Sequence, residues 1–188
     1  MTPNQVKPFV GAYWAARREP RHECAVRVAA FLHGIAEQLP LGGWYLSGRG
    51  QKAPLVQLEI SAVAIERELK TNNRDVDGKA IENLGFRLRV WNGNDNEPAS
   101  FAMTCGAWSD YVKNSAVLSL PPQSAPPDEV TAKPLRTLLE HSVQVWDPDY
   151  AVVTSSESMA RKGGGMPWDV GGWFAYERGG EVTMSFSS

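Results

Sequence analysis

The stretch that decides the fold is residues 85–120, which read GFRLRVWNGNDNEPASFAMTCGAWSDYVKNSAVLSL. β-Branched and aromatic residues are concentrated in three parts of this stretch, as is typical of strands. These parts are Gly85–Asn92, Ala99–Trp108 and Ser115–Leu120. Turn-forming residues, Asn92-Gly93 and the polar residues after them, separate the first two. The stretch therefore predicts three consecutive strands with short connections, and hence an antiparallel meander.

The first strand of this meander has one polar and one apolar side. Arg87 and Arg89 alternate with Leu88 and Val90. Alternation with a period of two is the pattern of a strand whose second face lies in solvent.

The residues before the meander predict two further strands and two helices. Phe9–Trp14 has strand composition, Trp44–Leu46 predicts a short strand, and Ser61–Leu69 predicts a helix. A longer helix begins at Pro20, where a missing N–H is tolerated. Its apolar stripe has helical spacing and consists of Cys24, Val28, Phe31, Leu32, Ile35 and Leu39.

The residues after the meander begin with a proline-rich connector at 121–127, which we interpret as a crossover within one domain. We predict a third helix, capped by Thr131, with an apolar face of Leu135, Leu138, Leu139, Val143 and Trp146. A strand at Tyr150–Thr154 and a C-terminal hairpin, Trp173–Glu177 with Glu181–Phe186, follow it. The prediction is an α+β fold, mainly antiparallel sheet of about six or seven strands with three helices, in a single domain over residues 1–188.

The charge of the chain is uneven. The 188 residues have a formal net charge of -2. Residues 1–94 contribute 13 Lys/Arg and 9 Asp/Glu, whereas residues 95–188 contribute 6 and 12. The near-neutral total excludes a strongly basic nucleic-acid binder. The acidic half indicates a basic partner, although differently charged solvated faces of one domain would give the same count.

The two cysteines and the N-terminal residues bear on the compartment. A secreted, disulfide-stapled domain would contain more cysteine, so we interpret Cys24 and Cys105 as reduced core thiols. The first eight residues contain no apolar segment of signal-peptide length, and no apolar run is long enough for a membrane span. These features favour a cytoplasmic protein.

Motifs that carry chemistry are incomplete in this chain. Glu68-Leu69-Lys70 spells the Glu-x-Lys of a divalent-metal nuclease, but the Asp that such a site needs upstream is missing. Residues 73–78 resemble the first half of a calcium loop, yet position 12 would be Leu84 where Glu is required. We therefore predict no catalytic residues, no cofactor and no metal, and keep the nuclease as an alternative.

Seven tryptophans in this chain are a high number. Most are explained by packing at the edge of a core. The loop Met166–Trp173 differs, because it combines two tryptophans, an acidic residue and glycines. Aromatic residues are enriched at the centres of protein interfaces, and a tryptophan-based glycan-binding module remains a further alternative.

Three runs of sequence, taken in order, resemble the bacterial polymorphic-toxin immunity protein family 52. The first is Ala12-Tyr13-Trp14-Ala15-Ala16-Arg17-x-Glu19 with Cys24-Ala25-x-Arg27 and Phe31-Leu32. The second is Asn73-Arg74-Asp75 with Leu84-Gly85-Phe86 and Trp91-Asn92-Gly93. The third is Trp146-Asp147-Pro148-Asp149-Tyr150-Ala151-Val152-Val153-Thr154-Ser155 with Gly172-Trp173-x-x-Tyr176. The resemblance runs from about residue 9 to about residue 177, and only the order of these short motifs makes it specific.

The resemblance implies a function without catalysis. Such proteins are cytoplasmic antitoxins that bind restriction-endonuclease-like toxins, often effectors of type VI secretion, and protect the producing cell. It supplies no binding residues by position, and it implies neither direct nucleic-acid binding nor membrane association.

We derive a candidate surface from charge instead. A nuclease presents a basic cleft to phosphate, so an acidic, aromatic surface would compete for it. We predict a toxin-binding surface in the C-terminal half, formed by Asp95, Glu97, Asp110, Tyr111, Asp147, Asp149, Trp168 and Asp169. Each of these could instead be a solvated loop residue, and inhibition away from the cleft would make the acidity incidental.

Overall fold

The computed structural model describes residues 5–46, 55–70, 77–79, 81–128, 131–161 and 172–185. Its strands are β1 (Pro8–Trp14), β2 (Tyr45–Leu46), β3 (Val56–Gln57), β4 (Phe86–Trp91), β5 (Ser100–Cys105), β6 (Asn114–Ser119), β7 (Tyr150–Ser155), β8 (Phe174–Glu177) and β9 (Thr183–Met184). Its helices are α1 (Arg21–Gln38), α2 (Ala62–Leu69), α3 (Lys133–Trp146) and α4 (Ser156–Arg161), with a 3-10 turn at Glu82–Leu84.

The strands form one antiparallel sheet in the order β3-β2-β4-β5-β6-β1-β7-β8-β9. The α+β class and the β4–β5–β6 meander are confirmed. The described strands number nine, so the predicted six or seven was wrong. Among them β2, β3 and β9 have only two residues each, and both residues of β3 are exposed. A two-residue strand is too short to show hydrophobic alternation, and β3 and β9 form the two edges of the described sheet.

Three helices cover one face of the sheet. Five of the six residues of the predicted α1 stripe are buried, and the sixth, Leu39, is half-buried just past the end of the helix. Of the predicted α3 face, Val143 is half-buried and the others, Leu135, Leu138, Leu139 and Trp146, are buried. The helix at Ser61–Leu69 is confirmed as α2, whose first turn is capped by the Ser61 hydroxyl. The predicted count of three helices was wrong, because the short helix α4 is a fourth.

The predicted cap of α3 was also wrong. The helix begins after Ala132, whose side chain cannot cap. The Thr131 hydroxyl instead bonds to the Asp128 carboxylate at 2.8 Å, within the turn that precedes the helix. Thr131 therefore stabilises a turn, which Ser and Thr favour as often as caps.

The core between helices and sheet is centred on aromatic rings. Trp14 of β1 stacks on Trp146 of α3 with centroids 5.6 Å apart. Phe31 of α1 meets Trp146 edge-on at 5.6 Å and Phe101 of β5 at 5.1 Å. These rings join the centre of the sheet to both long helices.

The other face of the sheet is uncovered over β4, β5 and β6 by any described element. Residues facing away from the helices there are exposed or half-buried, as the alternation in β4 predicts. The register places Arg89 beside Ala102 and Val117, and Arg87 beside Thr104 and Ser115. We call this region the open face.

The antiparallel order gives the sheet two distinct ends. The β4–β5 turn lies at one end, which we call the hairpin end. The β5–β6 loop lies at the other, together with the end of β1 and the beginning of β7. We call this the loop end.

No described helix is long and apolar enough to cross a membrane.

Candidate functional site

The β5–β6 loop, residues 106–113, is held rigidly at its base by one buried side chain. Asn114 is fully buried, and its Oδ1 accepts a hydrogen bond from the Ala107 N–H at 2.8 Å. Its amide nitrogen donates to the carbonyls of Ala107 (2.9 Å) and Ala15 (2.8 Å). The backbone N–H groups of Trp108 and Ser109 both donate to the Asn83 carbonyl at 3.1 Å. A loop fixed in this way loses little entropy when a partner binds.

This loop presents two aromatic side chains to solvent. Tyr111 is 96% exposed and Trp108 45% exposed. The guanidinium of Arg18 lies over the Trp108 ring, 5.6 Å from its centroid, and steadies it. The Ser109 hydroxyl accepts a hydrogen bond from the Tyr111 N–H at 3.2 Å, so the backbone at Tyr111 is also fixed. Tyrosine and tryptophan displayed on a rigid loop are the residue types that dominate protein interfaces.

A cleft of about 290 Å³ opens beside the loop at the ends of β1, β6 and β7. Its lining comprises Tyr13, Trp14, Ala15, Lys113, Asp149 and Tyr150. Burial and the neighbouring Tyr150 raise the pKa of Tyr13 to about 12, so its phenol stays neutral well into the alkaline range. The cleft is thus largely aromatic, with one cation and one carboxylate at its edge.

Asp149, one of the predicted toxin-binding residues, is engaged within the protein. Its Oδ2 accepts from the Ala15 N–H at 2.7 Å, and its Oδ1 pairs with Arg178 Nε at 2.8 Å. Its backbone N–H donates to the Tyr13 carbonyl. Asp149 therefore joins the end of β1, the beginning of β7 and the residue after β8, while about half of its side chain stays exposed.

Asp147 occupies the left-handed position that ends α3, with φ of 44°. Its carboxylate lies 3.4 Å from the guanidiniums of Arg17 and Arg178. These arginines offset the charges of Asp147 and Asp149, so this part of the loop end is less acidic than the residue count indicates.

Three arginines cap the C-terminus of α3. Arg17 donates to the Trp146 carbonyl at 2.9 Å, Arg27 to that of Val145 at 2.8 Å, and Arg178 to that of Asp147 at 2.6 Å. The last turn of α3 contains no basic residue of its own. Guanidiniums from elsewhere therefore satisfy carbonyls that the helix leaves open and complement the negative end of its dipole.

Glu19 connects two of these arginines to the cysteines. Its carboxylate lies 3.1 Å from the Arg27 guanidinium and accepts a hydrogen bond from the Cys105 thiol at 3.2 Å. The Arg17 Nε lies 3.3 Å from the same carboxylate, in an ion pair without hydrogen-bond geometry. The Cys24 hydrogen bond, burial and Glu19 together raise the pKa of Cys105, which keeps it a thiol. Cys24 and Cys105 are free and buried, as predicted.

Glu19, Cys24 and Cys105 are also the group of potential metal ligands that the described residues bring together. Thiolates are the forms that bind metals, and the raised pKa of Cys105 opposes that form. Both Glu19 oxygens already face guanidiniums. The chemistry of this set favours a hydrogen-bonded core network over a metal centre.

The predicted toxin-binding residues are divided between the ends of the sheet. The loop end holds Asp110, Tyr111, Asp147 and Asp149, and the hairpin end holds Asp95 and Glu97, both exposed. The length of β5 separates the two groups by roughly 17–20 Å. Trp168 and Asp169 lie outside the described residues. The surface itself stays a prediction.

The hairpin end owes its shape to Asn92. The buried Asn92 amide donates to the Glu97 carbonyl at 2.8 Å and accepts from the Ala99 N–H at 2.9 Å. The Glu97 side chain is left exposed by this arrangement.

The residues behind the nuclease alternative lie at the end of α2. Glu68 is in the last turn of the helix and Lys70 follows it. Residues two apart on a helix do not share a face. In the described ranges no three-ligand group includes Glu68. Most of the calcium-like segment lies outside the described residues.

Sequence reasoning missed Trp108, Lys113 and Arg18 as parts of the loop end. A signal was available in the sequence, since residues 108–111 contain two aromatic residues in the segment that connects two predicted strands. Such connections lie at the surface and often carry function. It also missed that the resemblance motifs meet in space: Arg17 and Arg27 from the first run donate hydrogen bonds to carbonyls at the C-terminus of α3, where the third run begins, and Glu19 pairs with both arginines.

Comparison with known proteins identifies the class. A family model described as Immunity protein 52 matches residues 7–182. The chain therefore belongs to the Immunity protein 52 family, and the resemblance drawn from the sequence is confirmed. No curated protein matches the chain.

One solved structure similar to this chain is the Pseudomonas aeruginosa T6SS protein PA0821. The TM-score is 0.43 at 9% identity, over 80% of this chain and 40% of that chain. This chain thus spans well under two thirds of the length of that protein.

Proposed function

We propose that this protein binds and neutralises a secreted nuclease toxin by direct contact in the cytoplasm, and that the toxin is an effector of type VI secretion. Family membership supports a cognate toxin as the partner. The nuclease chemistry and the secretion route are what the family resemblance implies, and they complete the proposal.

The observation that carries a binding function is the rigid aromatic loop. Tyr111 is almost fully exposed on a loop whose base is fixed by the buried Asn114. An aromatic side chain displayed at 96% exposure gains no folding energy from burial, which favours a role in binding. The cleft of about 290 Å³ beside it could receive a side chain of the partner.

We place the binding surface at the loop end, with Tyr111 and Trp108 as anchors and Asp110 as the acidic contact. Asp110 is exposed and lies between the two anchors in sequence. Asp147 and Asp149 support this end from within, because their arginine partners hold the strands in place. This arrangement suits a toxin with a basic cleft, because Asp110 would pair with a cation of the cleft while the rings of Tyr111 and Trp108 pack against its surface.

The test is protection from the product of the adjacent reading frame. That product is expressed in a bacterial host with this protein, with Tyr111→Ala, or with Val63→Ala, a matched control since Val63 is 73% exposed on α2. We expect wild type and Val63→Ala to restore growth. Tyr111→Ala should bind the catalytically inactivated toxin at least about tenfold more weakly, since interface anchors are typically worth that much.

Two results would count against the proposal. If the wild-type protein neither binds nor protects against that product, the immunity function is wrong for this toxin. If the wild type protects and Tyr111→Ala binds as tightly as Val63→Ala, the function stands and the loop end is the wrong surface. Plasmid DNA incubated with the toxin, with and without this protein, reports whether the neutralised activity is nuclease activity.

A further inference from the structure

The open face contains a groove that none of the predicted toxin-binding residues touches. It has a volume of about 440 Å³ and lies over β4, β5 and β6. The residues that line it are Arg87, Leu88, Arg89, Ala102, Met103, Thr104, Ser115 and Val117. Its floor is shallow because the central strands contribute small side chains, whereas β4 contributes two long cationic ones.

The walls of the groove are defined by the strands on either side. The register continues from Ser115 to Tyr13 and from Val117 to Gly11 of β1. The Tyr13 side chain lies over Gly11, in the space that a Cβ there would take. The Tyr13 ring therefore covers the β1 position beside Val117, next to the groove, and the guanidinium-bearing side chains of β4 bound the groove on its other side.

The described lining of the groove is cationic. Two of its residues are arginines on one strand, and none of the lining residues in the described part of the chain is acidic. The hydroxyls of Thr104 and Ser115 lie in the same row as Arg87 and add donors. Both arginines are exposed at the surface. The groove therefore suits an anionic ligand that is bound by guanidinium and hydroxyl donors together.

The spacing of the two arginines selects the kind of anion. Residues two apart on a strand lie on the same face, about 6.6 Å apart along it. An extended peptide has the same repeat, so carboxylates at alternate positions of such a peptide would meet Arg87 and Arg89 in register. A nucleic acid is less well matched, since tight binding needs many phosphate contacts and this chain has a net charge of -2.

We propose that the open-face groove binds an extended acidic segment of the toxin, with Asp or Glu at alternate positions. This inference rests on the proposed function and adds a second contact surface to the loop end. A groove contact of this kind would fix the orientation of the complex and make its affinity dependent on salt.

The test compares two variants that remove the same charge. Arg87→Gln/Arg89→Gln changes the groove, and Lys133→Gln/Arg136→Gln changes two exposed residues of α3 in the helix layer. Binding to the inactivated product of the adjacent reading frame is measured at low and high NaCl. We expect the groove variant to bind at least about tenfold more weakly at low salt and to lose most of its salt dependence, and the control to stay within about twofold of wild type.

A crosslinking measurement identifies the occupant. A photoreactive benzoylphenylalanine at Val117, on the groove floor, should crosslink to a toxin peptide with acidic residues at alternate positions. The same group at Arg136 should not crosslink to that peptide. A urea-unfolding midpoint equal to that of the wild type shows that the fold of a variant is intact. If the double variant does not fold, Arg89→Lys takes its place in the binding measurement, because it keeps the positive charge and removes the guanidinium.

Four outcomes would overturn the inference. Equal toxin affinity of the groove and control variants, with wild-type binding intact, removes the groove and leaves the proposed function standing. Binding of a labelled single strand of about 12 nucleotides that is lost in the groove variant alone would make the groove a nucleic-acid site. A dimer of the isolated protein that only the groove variant disrupts would make it a self-association surface. Absence of any wild-type binding to the toxin removes both proposals.

Discussion

Replacing Glu19 by Gln tests whether the buried network at the loop end stabilises the fold. The carboxylate is only 5% exposed and faces the guanidiniums of Arg17 and Arg27 and the thiol of Cys105. Breaking a buried ion pair by removing one partner costs about 3–5 kcal/mol. Here both guanidiniums are more than a quarter exposed and keep helix carbonyls as partners. We therefore discount the cost to about 2 kcal/mol.

The assay is urea unfolding followed by tryptophan fluorescence, for which the buried Trp14 and Trp146 are natural reporters. A loss of about 2 kcal/mol should lower the urea midpoint by roughly 0.7–2 M, for a denaturant slope of about 1–3 kcal/mol per M. The matched control is Glu82→Gln. The Glu82 carboxylate pairs with Arg18 at 3.6 Å, and both side chains are 73% exposed, so we expect a change within about 0.5 kcal/mol.

The reasoning is refuted if Glu19→Gln and Glu82→Gln unfold at the same urea concentration with the same denaturant slope. A double-mutant cycle with Arg27→Gln then apportions the effect, because groups in one network should couple by about 0.5–3 kcal/mol. Strict additivity of Glu19→Gln and Arg27→Gln would show that the 3.1 Å contact between these side chains contributes nothing.

Two further predictions concern the backbone and the alkaline range. Gly85→Ala should destabilise the protein by several kcal/mol, because φ at Gly85 is 66° and the new Cβ would overlap the Ala107 backbone. Gly179 also has a positive φ, but the space around it is open, so Gly179→Ala should cost only about 1 kcal/mol in the same urea assay. The raised pKa of Tyr13 contributes stability that is present below its unfolded pKa of 10.0 and is lost as pH rises toward about 12. The unfolding free energy, measured as a function of pH, should therefore fall less steeply between pH 10 and 12 in Tyr13→Phe than in the wild type. The difference between the two proteins over this range should be at most about 2–3 kcal/mol. An equal slope in both proteins would contradict the raised pKa of Tyr13.

The fold was largely predictable where periodicity was long. The stripe of α1 and the alternation of β4 each extend over enough residues to define a buried side. The short strand predicted at Trp44–Leu46 is confirmed as β2, whereas β3 was not predicted, because its two exposed residues pair with a neighbour that only the rest of the sheet brings to them. Thr131 shows a different limit of prediction from sequence. Its hydroxyl could either cap α3 or stabilise the turn before it, and in the structure it bonds to Asp128 within that turn.

The candidate site was less predictable than the fold. Counting charges identified Asp147 and Asp149 as acidic, but their partners Arg17 and Arg178 are distant in sequence. The charge that remains for a partner depends on such long-range pairs. For the same reason, charge reversal at Asp147 or Asp149 would disturb folding along with binding, and Tyr111 is the cleaner position to vary.

The position of β1 bears on when the sheet can assemble during synthesis. β1 precedes the other described strands in the chain, yet it lies in the middle of the sheet between β6 and β7. Its second neighbour, β7, ends at Ser155, 141 residues after β1 ends at Trp14, and synthesis of that length takes roughly 7–28 s at ordinary rates. β1 therefore lacks one of its two neighbours for that time. On the proposed function, a cell that makes toxin and antitoxin together would need the antitoxin message translated first or in excess.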